Sequence, residues 1–276
     1  MATPADSLAA PLTDAALKRQ QVMEYIWHHI LNTKPGHGPM EWHPLPFVPG
    51  IHLPDWLPLH QLMLLIAGLL LIVGFCVLYR LRKGVPTHFS IVLETFIVFI
   101  RDEVAIPSLG EHDGKKLTPL LCTFFFFILV LNFMGLFPFF VTATANVHVT
   151  AALSILVFVV MIVGGLLKNG PLGLAHAFIP GGVPLVLKFV LFPLEVVGVF
   201  IKTFALTLRL FANMLAGHVA IFSIIGMVVV FGPIALPALL MALFILLIEV
   251  LVALLQAYVF TLLSAVFIGQ VFHPEH

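Results

Sequence analysis

Beyond residue 58 the chain alternates long apolar runs with short polar breaks. Residues 62–79 carry no charge and run into Arg80, Arg82 and Lys83. A membrane span needs roughly 20 apolar residues, so 59–79 is expected to cross. Its basic end then marks the cytoplasmic (or matrix) side and puts the N-terminus outside. Residues 88–106 mix Glu94, Arg101, Asp102 and Glu103 with apolar positions at helical spacing, which suits an interfacial helix better than a span. Ser108 to Lys116 reads as a polar turn. Residues 117–141 and 149–167 are expected to be the second and third spans. The outer turn TATANVH joins them, and a Gly/Pro-rich inner loop follows Lys168.

From Pro184 onward the pattern stays apolar almost to the end, broken by one strong turn signal, Gly232-Pro233. Pro193 is expected to kink the start of the first arm. The two arms, 184–231 and 234–272, are each too long for one perpendicular crossing. Counted from Leu194 and from Ile234, they hold about 38 and 39 residues, or about 57 Å of helix against a hydrocarbon core about 30 Å thick. No later proline or polar turn divides either arm past Pro237, so two oblique helices are expected. The predicted architecture is an all-α polytopic membrane protein: three spans, an interfacial helix and a long oblique two-helix hairpin.

The polar part is residues 1–58. A short amphipathic helix is expected from about Thr13 to Leu31, capped by Thr13 or Asp14, and a proline-studded loop follows it. This segment lacks the basic-then-apolar layout of a cleavable signal peptide. His28, His29, His37, His43 and His52 match no zinc spacing and read as solvated loop residues. The chain therefore divides into an outer segment, 1–58, and a membrane domain, 59–276.

Composition sharpens this picture. Hydrophobic residues make up 61% of the 276 and charged residues 9%, against roughly 25% charged in a soluble domain. Net charge is zero, which argues against nucleic-acid binding. Cys76 and Cys122 both lie inside apolar runs, so neither a disulfide framework nor a metal site is indicated. No cofactor is called for.

Against this background one residue stands out. Arg209 lies in the middle of the first arm with no acid within a dozen residues along the chain, and no Lys or Arg follows it. A guanidinium stays protonated, and an intramembrane charge is a functional-site hypothesis by default. Centring the turn between Gly232 and Pro233 brings Arg209 level with Gln256, Ala216 (beside His218) level with Glu249, and Glu195 level with Gln270. At 100° per residue, Asn213 lies about 40° from Arg209, and Lys202 and Glu195 fall on the same stripe. His218 lies half a turn round, and Glu249 shares a face with Gln256. Two polar surfaces with Arg209 between them are expected. Asn132, at the centre of the second span, reads as a residue that joins helices.

These residues carry a resemblance. LRLFANMLAGH from Leu208, IEVLVALLQAYVF from Ile248, PLEVVGVFIKTFALTLRLFAN and LTPLLCTFFFFILVLNFMGLFP resemble the subunit a family of the F-type ATP synthases, over about residues 55–272. ANVHVT matches more loosely. The resemblance implies the stator half of a rotary ion pathway, facing a ring of c subunits that each carry a buried carboxylate, with b-type peripheral stalk subunits as further partners. Arg209 matches the family's essential arginine, and Asn213 and Gln256 match polar neighbours facing the same ring. His218 and Glu249 occupy positions associated with an outer half-channel. Glu195 falls near the inner access path, and Lys202 on a family position of unassigned role. The implied function is ion translocation, H⁺ or Na⁺, coupled to ATP synthesis, with ATP chemistry elsewhere in the complex. The implied location is a bacterial inner membrane, N-terminus outside and C-terminus inside.

Two other classes of membrane protein also carry intramembrane charges. A secondary transporter with midplane charges predicts inverted repeats and Gly/Pro-broken helices. An intramembrane hydrolase predicts paired metal ligands, or a nucleophile with its base. The sequence has neither the repeats nor an HExxH or GxSxG motif.

Overall fold

The computed structural model describes residues 17, 41–42, 51–52, 59–78, 88–137, 140, 142–177, 185–231 and 236–273. The amphipathic helix expected at 13–31 lies outside these residues except for Leu17, which is helical. Within the proline-studded loop, two two-residue strands, β1 (Glu41–Trp42) and β2 (Ile51–His52), pair antiparallel. Everything else regular among the described residues is helical, so the protein is all-α in its membrane domain.

The helices are α1 (Leu59–Val73), α2 (His88–Phe99), α3 (Ile106–Leu136), α4 (Val147–Ala177), α5 (Leu185–Phe231) and α6 (Leu236–Phe272). Four helical stretches, 90–136, 147–174, 189–228 and 237–272, are long and apolar enough to cross a membrane, and 60–76 is a shorter apolar one. The chain is an integral membrane protein of several passes.

Where the sequence suggests separate elements, the structure joins them. α1 widens into a π-helical stretch, Gly74–Leu78. α2 runs through a second such stretch, Ile100–Ala105, directly into α3. The expected polar turn from Ser108 to Lys116 is therefore helical on both sides of one residue, Gly110, at φ 77 and ψ 167. Only glycine adopts that conformation without strain, so a single residue reverses the chain where a loop was expected. α4 repeats the device: Gly170, at φ 70 and ψ 176, separates the span from a short helical continuation that opens on Pro171. Proline suits that first helical position because its missing N–H would have no partner there.

The hairpin arms are continuous. α5 holds 47 residues and passes through Pro193, and α6 holds 37. At 1.5 Å per residue these are about 70 and 55 Å long, each well beyond the thickness of a bilayer core of about 30 Å.

α6 is the centre of the bundle, lying against α3, α4 and α5. Its inward face carries Ala253, Ala257, Thr261, Ser264, Ala265 and Gly269 at helical spacing, and small side chains of this kind let neighbouring backbones close in. Phe124, Phe125, Phe260 and Ile268 fill the interior between α3 and α6. The buried hydroxyls of Thr261 and Ser264 donate to Ala257 O and Phe260 O of their own helix, at 2.9 and 2.7 Å. Asn132 Nδ2 donates to Ala253 O at 3.3 Å, joining α3 to α6 as expected of it.

One end of the bundle is clamped. Lys168 of α4 pairs with Asp113 of α3, and His273, just past α6, lies 3.2 Å from the same carboxylate and 2.8 Å from Leu109 O. Asn169 Nδ2 donates to Val271 O at 2.9 Å. Gly269 sits so close to the Ser108 carbonyl that a Cβ there would collide with it, whereas a Cβ on Gly68 would meet nothing within 4 Å. Gly269→Ala is therefore expected to destabilise the detergent-solubilised protein by about 1–3 kcal/mol, lowering its thermal unfolding midpoint. Gly68→Ala is expected to leave the midpoint unchanged or raise it, because Ala favours the helix by up to about 1 kcal/mol. Equal midpoints for the two variants would contradict the close packing of α6 on the turn.

Candidate functional site

α5 presents two faces with different occupants. Leu206, Leu210, Met214 and His218 recur every four residues and are buried, so this stripe faces the bundle. Ile201, Phe204, Leu208 and Arg209 lie on the opposite side and are exposed. The half-turn between Arg209 and His218 thus separates an outside charge from an inside imidazole.

His218 is 8% exposed and is surrounded by oxygen atoms from four elements. Its Nδ1 lies 2.9 Å from Met214 O, one turn back on α5, and 3.1 Å from Glu249 Oε1 on α6. Its Nε2 lies 2.8 Å from Gly135 O, near the end of α3, and 2.6 Å from the Thr142 hydroxyl. Glu249 is 5% exposed, and the imidazole lies against its carboxylate; neither oxygen has an aligned hydrogen-bond donor among the described residues. The carboxylate packs over Gly217, where any Cβ would occupy its place. Gly217 thus makes room for an acid.

Thr142 was not singled out by sequence. It precedes a 3₁₀ turn, Ala143–Ala145, that lies against α1, α3, α4 and α5. Thr142, Ala143, Thr144 and Ala145 are all buried. The expected outer turn TATANVH thus folds inward and helps to build the site. A run of small and threonine residues between two apolar segments was the available signal. Small residues pass between helices, and threonine hydroxyls can be satisfied there.

A second polar group lies farther along the hairpin. Lys202 Nζ donates to Gln270 Oε1 at 3.0 Å and to Glu195 Oε1 at 3.5 Å, so it bridges the two residues that the arm count put at one height. It also lies over the Phe267 ring, 5.9 Å from the centroid. This group is partly exposed.

Between the two groups lie the remaining three candidates. Gln256 is 4% exposed, and its Nε2 has no partner among the described residues. Asn213 is half-buried. Arg209 is exposed, and its guanidinium makes no hydrogen bond or ion pair among the described residues. His218 with Glu249, and Lys202 with Glu195 and Gln270, are brought together; no hydrogen bond joins Arg209 to Gln256. Among the described residues no group of three metal-ligating side chains occurs.

These features define a polytopic membrane protein with two polar clusters at different depths of one helical hairpin and an uncompensated cation between them. Residues 61–269 match the family described as ATP synthase A chain, and the chain belongs to that family. It is 43% identical to ATP synthase subunit a of Anaeromyxobacter dehalogenans strain 2CP-C over 216 residues, 76% of this chain and 56% of that protein. It is 44% identical to the subunit a of Chloroherpeton thalassium over 223 residues, 78% of this chain and 66% of that one. ATP synthase subunit a 2 of Chlorobaculum tepidum is 38% identical over 268 residues, 92% of this chain and 74% of that protein. The matched region thus spans 56 and 66% of the length of the first two relatives.

Paired cysteines test this geometry. His218→Cys with Glu249→Cys, and Lys202→Cys with Gln270→Cys, are expected to be joined by a short bifunctional thiol reagent. His218→Cys with Gln270→Cys should not be, since these positions lie about 30 Å apart along the hairpin. Joining of that third pair would contradict the register.

Proposed function

We propose that this chain is the stator ion-pathway subunit in the membrane sector of an F-type ATP synthase. The observation that carries the proposal is Arg209, a permanent cation on the exposed side of α5 with no acid beside it among the described residues. In this reading its counter-charge comes from another chain. A ring of c subunits, each with a buried carboxylate, supplies one in turn, and b-type peripheral stalk subunits hold the stator still.

In this account an ion enters from the outer side through a half-channel lined by His218 and Glu249, an imidazole–carboxylate pair suited to protons near neutral pH. It neutralises a ring carboxylate, which then moves through lipid; an ionised carboxylate would make that passage at high cost. After almost a full turn the carboxylate reaches the second half-channel at Glu195, Lys202 and Gln270, and releases its proton. Arg209 favours the ionised carboxylate as it passes, and its fixed charge repels cations that would leak between the half-channels. Asn213 and Gln256 present polar groups on either side of it. Each charge that crosses does about 2.3 kcal/mol of work per 100 mV, which appears as torque. ATP is made elsewhere in the complex. The host membrane is a bacterial inner membrane, with the N-terminus outside and the C-terminus inside; α2 lies along its inner surface.

Arg209→Ala is expected to abolish ATP synthesis driven by an ion gradient in vesicles while the complex still assembles. Near-normal ATP-driven pumping by the assembled variant would overturn the proposal. A proton gradient alone is expected to sustain synthesis in the parent complex, and a Na⁺ gradient alone is not.

A further inference from the structure

The histidine of the outer cluster poses a hydrogen-bonding problem that its helix partners do not solve. A neutral imidazole has one N–H donor and one lone pair, and an imidazolium has two donors. Of the four groups that the described residues place within hydrogen-bonding distance of the His218 ring, Met214 O, Gly135 O and an ionised Glu249 can only accept, and Thr142 can also donate. Consider the neutral ring with its proton on Nε2. The Nδ1 lone pair then faces Met214 O at 2.9 Å and Glu249 Oε1 at 3.1 Å, and both contacts are repulsive. With the proton on Nδ1, Met214 O accepts it at 2.9 Å, and the Glu249 carboxylate lies beside the N–H at 3.1 Å as a favourable charge. The Nε2 lone pair then faces Gly135 O, which repels it, and the Thr142 hydroxyl at 2.6 Å, which can donate to it.

We propose that Thr142 is a positioning residue that fixes the tautomer of His218, so that the neutral ring keeps its proton on Nδ1, toward Glu249, and takes up a further proton at Nε2. The inference rests on the reading of His218 and Glu249 as the outer half-channel. Loading is then a simple transfer: a hydronium ion gives its proton to Nε2, water is left, and the ring becomes an imidazolium. The Thr142 hydroxyl rotates from donor to acceptor as this happens and stays hydrogen-bonded in both states. The loaded ring presents Nδ1–H to Glu249. The position of Thr142 is not accidental: it is 4% exposed, and its methyl group packs where a Cβ on Gly135 would stand, 2.9 Å away. The inward fold of the 3₁₀ turn holds the hydroxyl there.

The surroundings bear on any pH profile. From α6, Glu249 is the titratable group against the ring. α3 brings the Gly135 carbonyl, and the segment leading into the 3₁₀ turn brings the hydroxyl. α1, which packs on the same turn, carries the buried His60. His148 in the first turn of α4 is exposed, and Arg209 lies on the opposite face of α5.

The test uses the assembled complex in vesicles, with passive proton conduction through its membrane sector measured from acid to alkaline pH. Thr142→Val keeps the shape and removes the hydroxyl; Thr142→Ser keeps the hydroxyl. Thr142→Val is expected to slow conduction by about tenfold, the factor of one lost hydrogen bond. Its pH profile should also move to the alkaline side, because the neutral ring has lost its donor. Thr142→Ser is expected to conduct like the parent with an unshifted profile. A valine variant with parental rate and profile, or a serine variant as impaired as the valine one, overturns the inference. If Thr142→Val does not assemble, Thr142→Ala takes its place, with the same two outcomes. His218→Ala separates the two levels. If it conducts like the parent, the half-channel reading fails; if it is dead while Thr142→Val is parental, only the tautomer inference fails.

Discussion

An unneutralised guanidinium in an apolar helix is the constraint on which this structure turns. Burying an unpaired charge costs several kcal/mol even after relaxation, so a folded chain normally pairs it, hydrates it or hands it to a partner. Here the fold does satisfy polar groups where it can. His218 has acceptors on both ring nitrogens, Lys202 reaches two oxygens, and Asn132 finds a carbonyl on α6. Arg209 is left facing outward with none among the described residues. The bundle closes around α6 and leaves the face of α5 that carries Arg209 open.

The inner architecture serves this arrangement by keeping the hairpin rigid. Small residues on α6 let α3, α4 and α5 approach, and the Lys168–Asp113–His273 clamp ties the end of α6 to both neighbours. Gln270 lies one turn before His273, so the clamp also fixes the part of α6 that meets Lys202. At the other cluster, Gly217 and Gly135 hold the backbone close to Glu249 and Thr142. The polar groups are thus set by backbone contacts at glycines, which resist small displacements better than flexible side chains do.

Much of this was legible in the sequence, and the exceptions have a common cause. The lengths of the two arms are local information, and from them the pairing of His218 with Glu249 and of Glu195 with Gln270 could be read. Periodicity separated Arg209 from His218 by half a turn. The inward fold of the TATANVH segment could not be read, because its burial depends on contacts with four helices, of which α1 and α5 are distant in sequence. The continuity of α2 into α3 was missed for a different reason. The stretch from Ser108 to Lys116 is polar, and polarity suggests a loop; Gly110 turns the chain alone, and the polar residues around it bind the end of the bundle. Arg209 and Gln256, level by count, make no hydrogen bond: level residues on two helices meet only if both face the seam, and Arg209 is exposed while Gln256 is buried.

The central claim is that the counter-charge for Arg209 belongs to another chain. A photo-reactive amino acid at Ala205, exposed one turn before Arg209 on α5, tests it in the assembled complex with Arg209 intact. The account predicts adducts on a second chain, mapping within about a helical turn of a carboxylate in a membrane helix. Adducts confined to lipid or to this chain would contradict it.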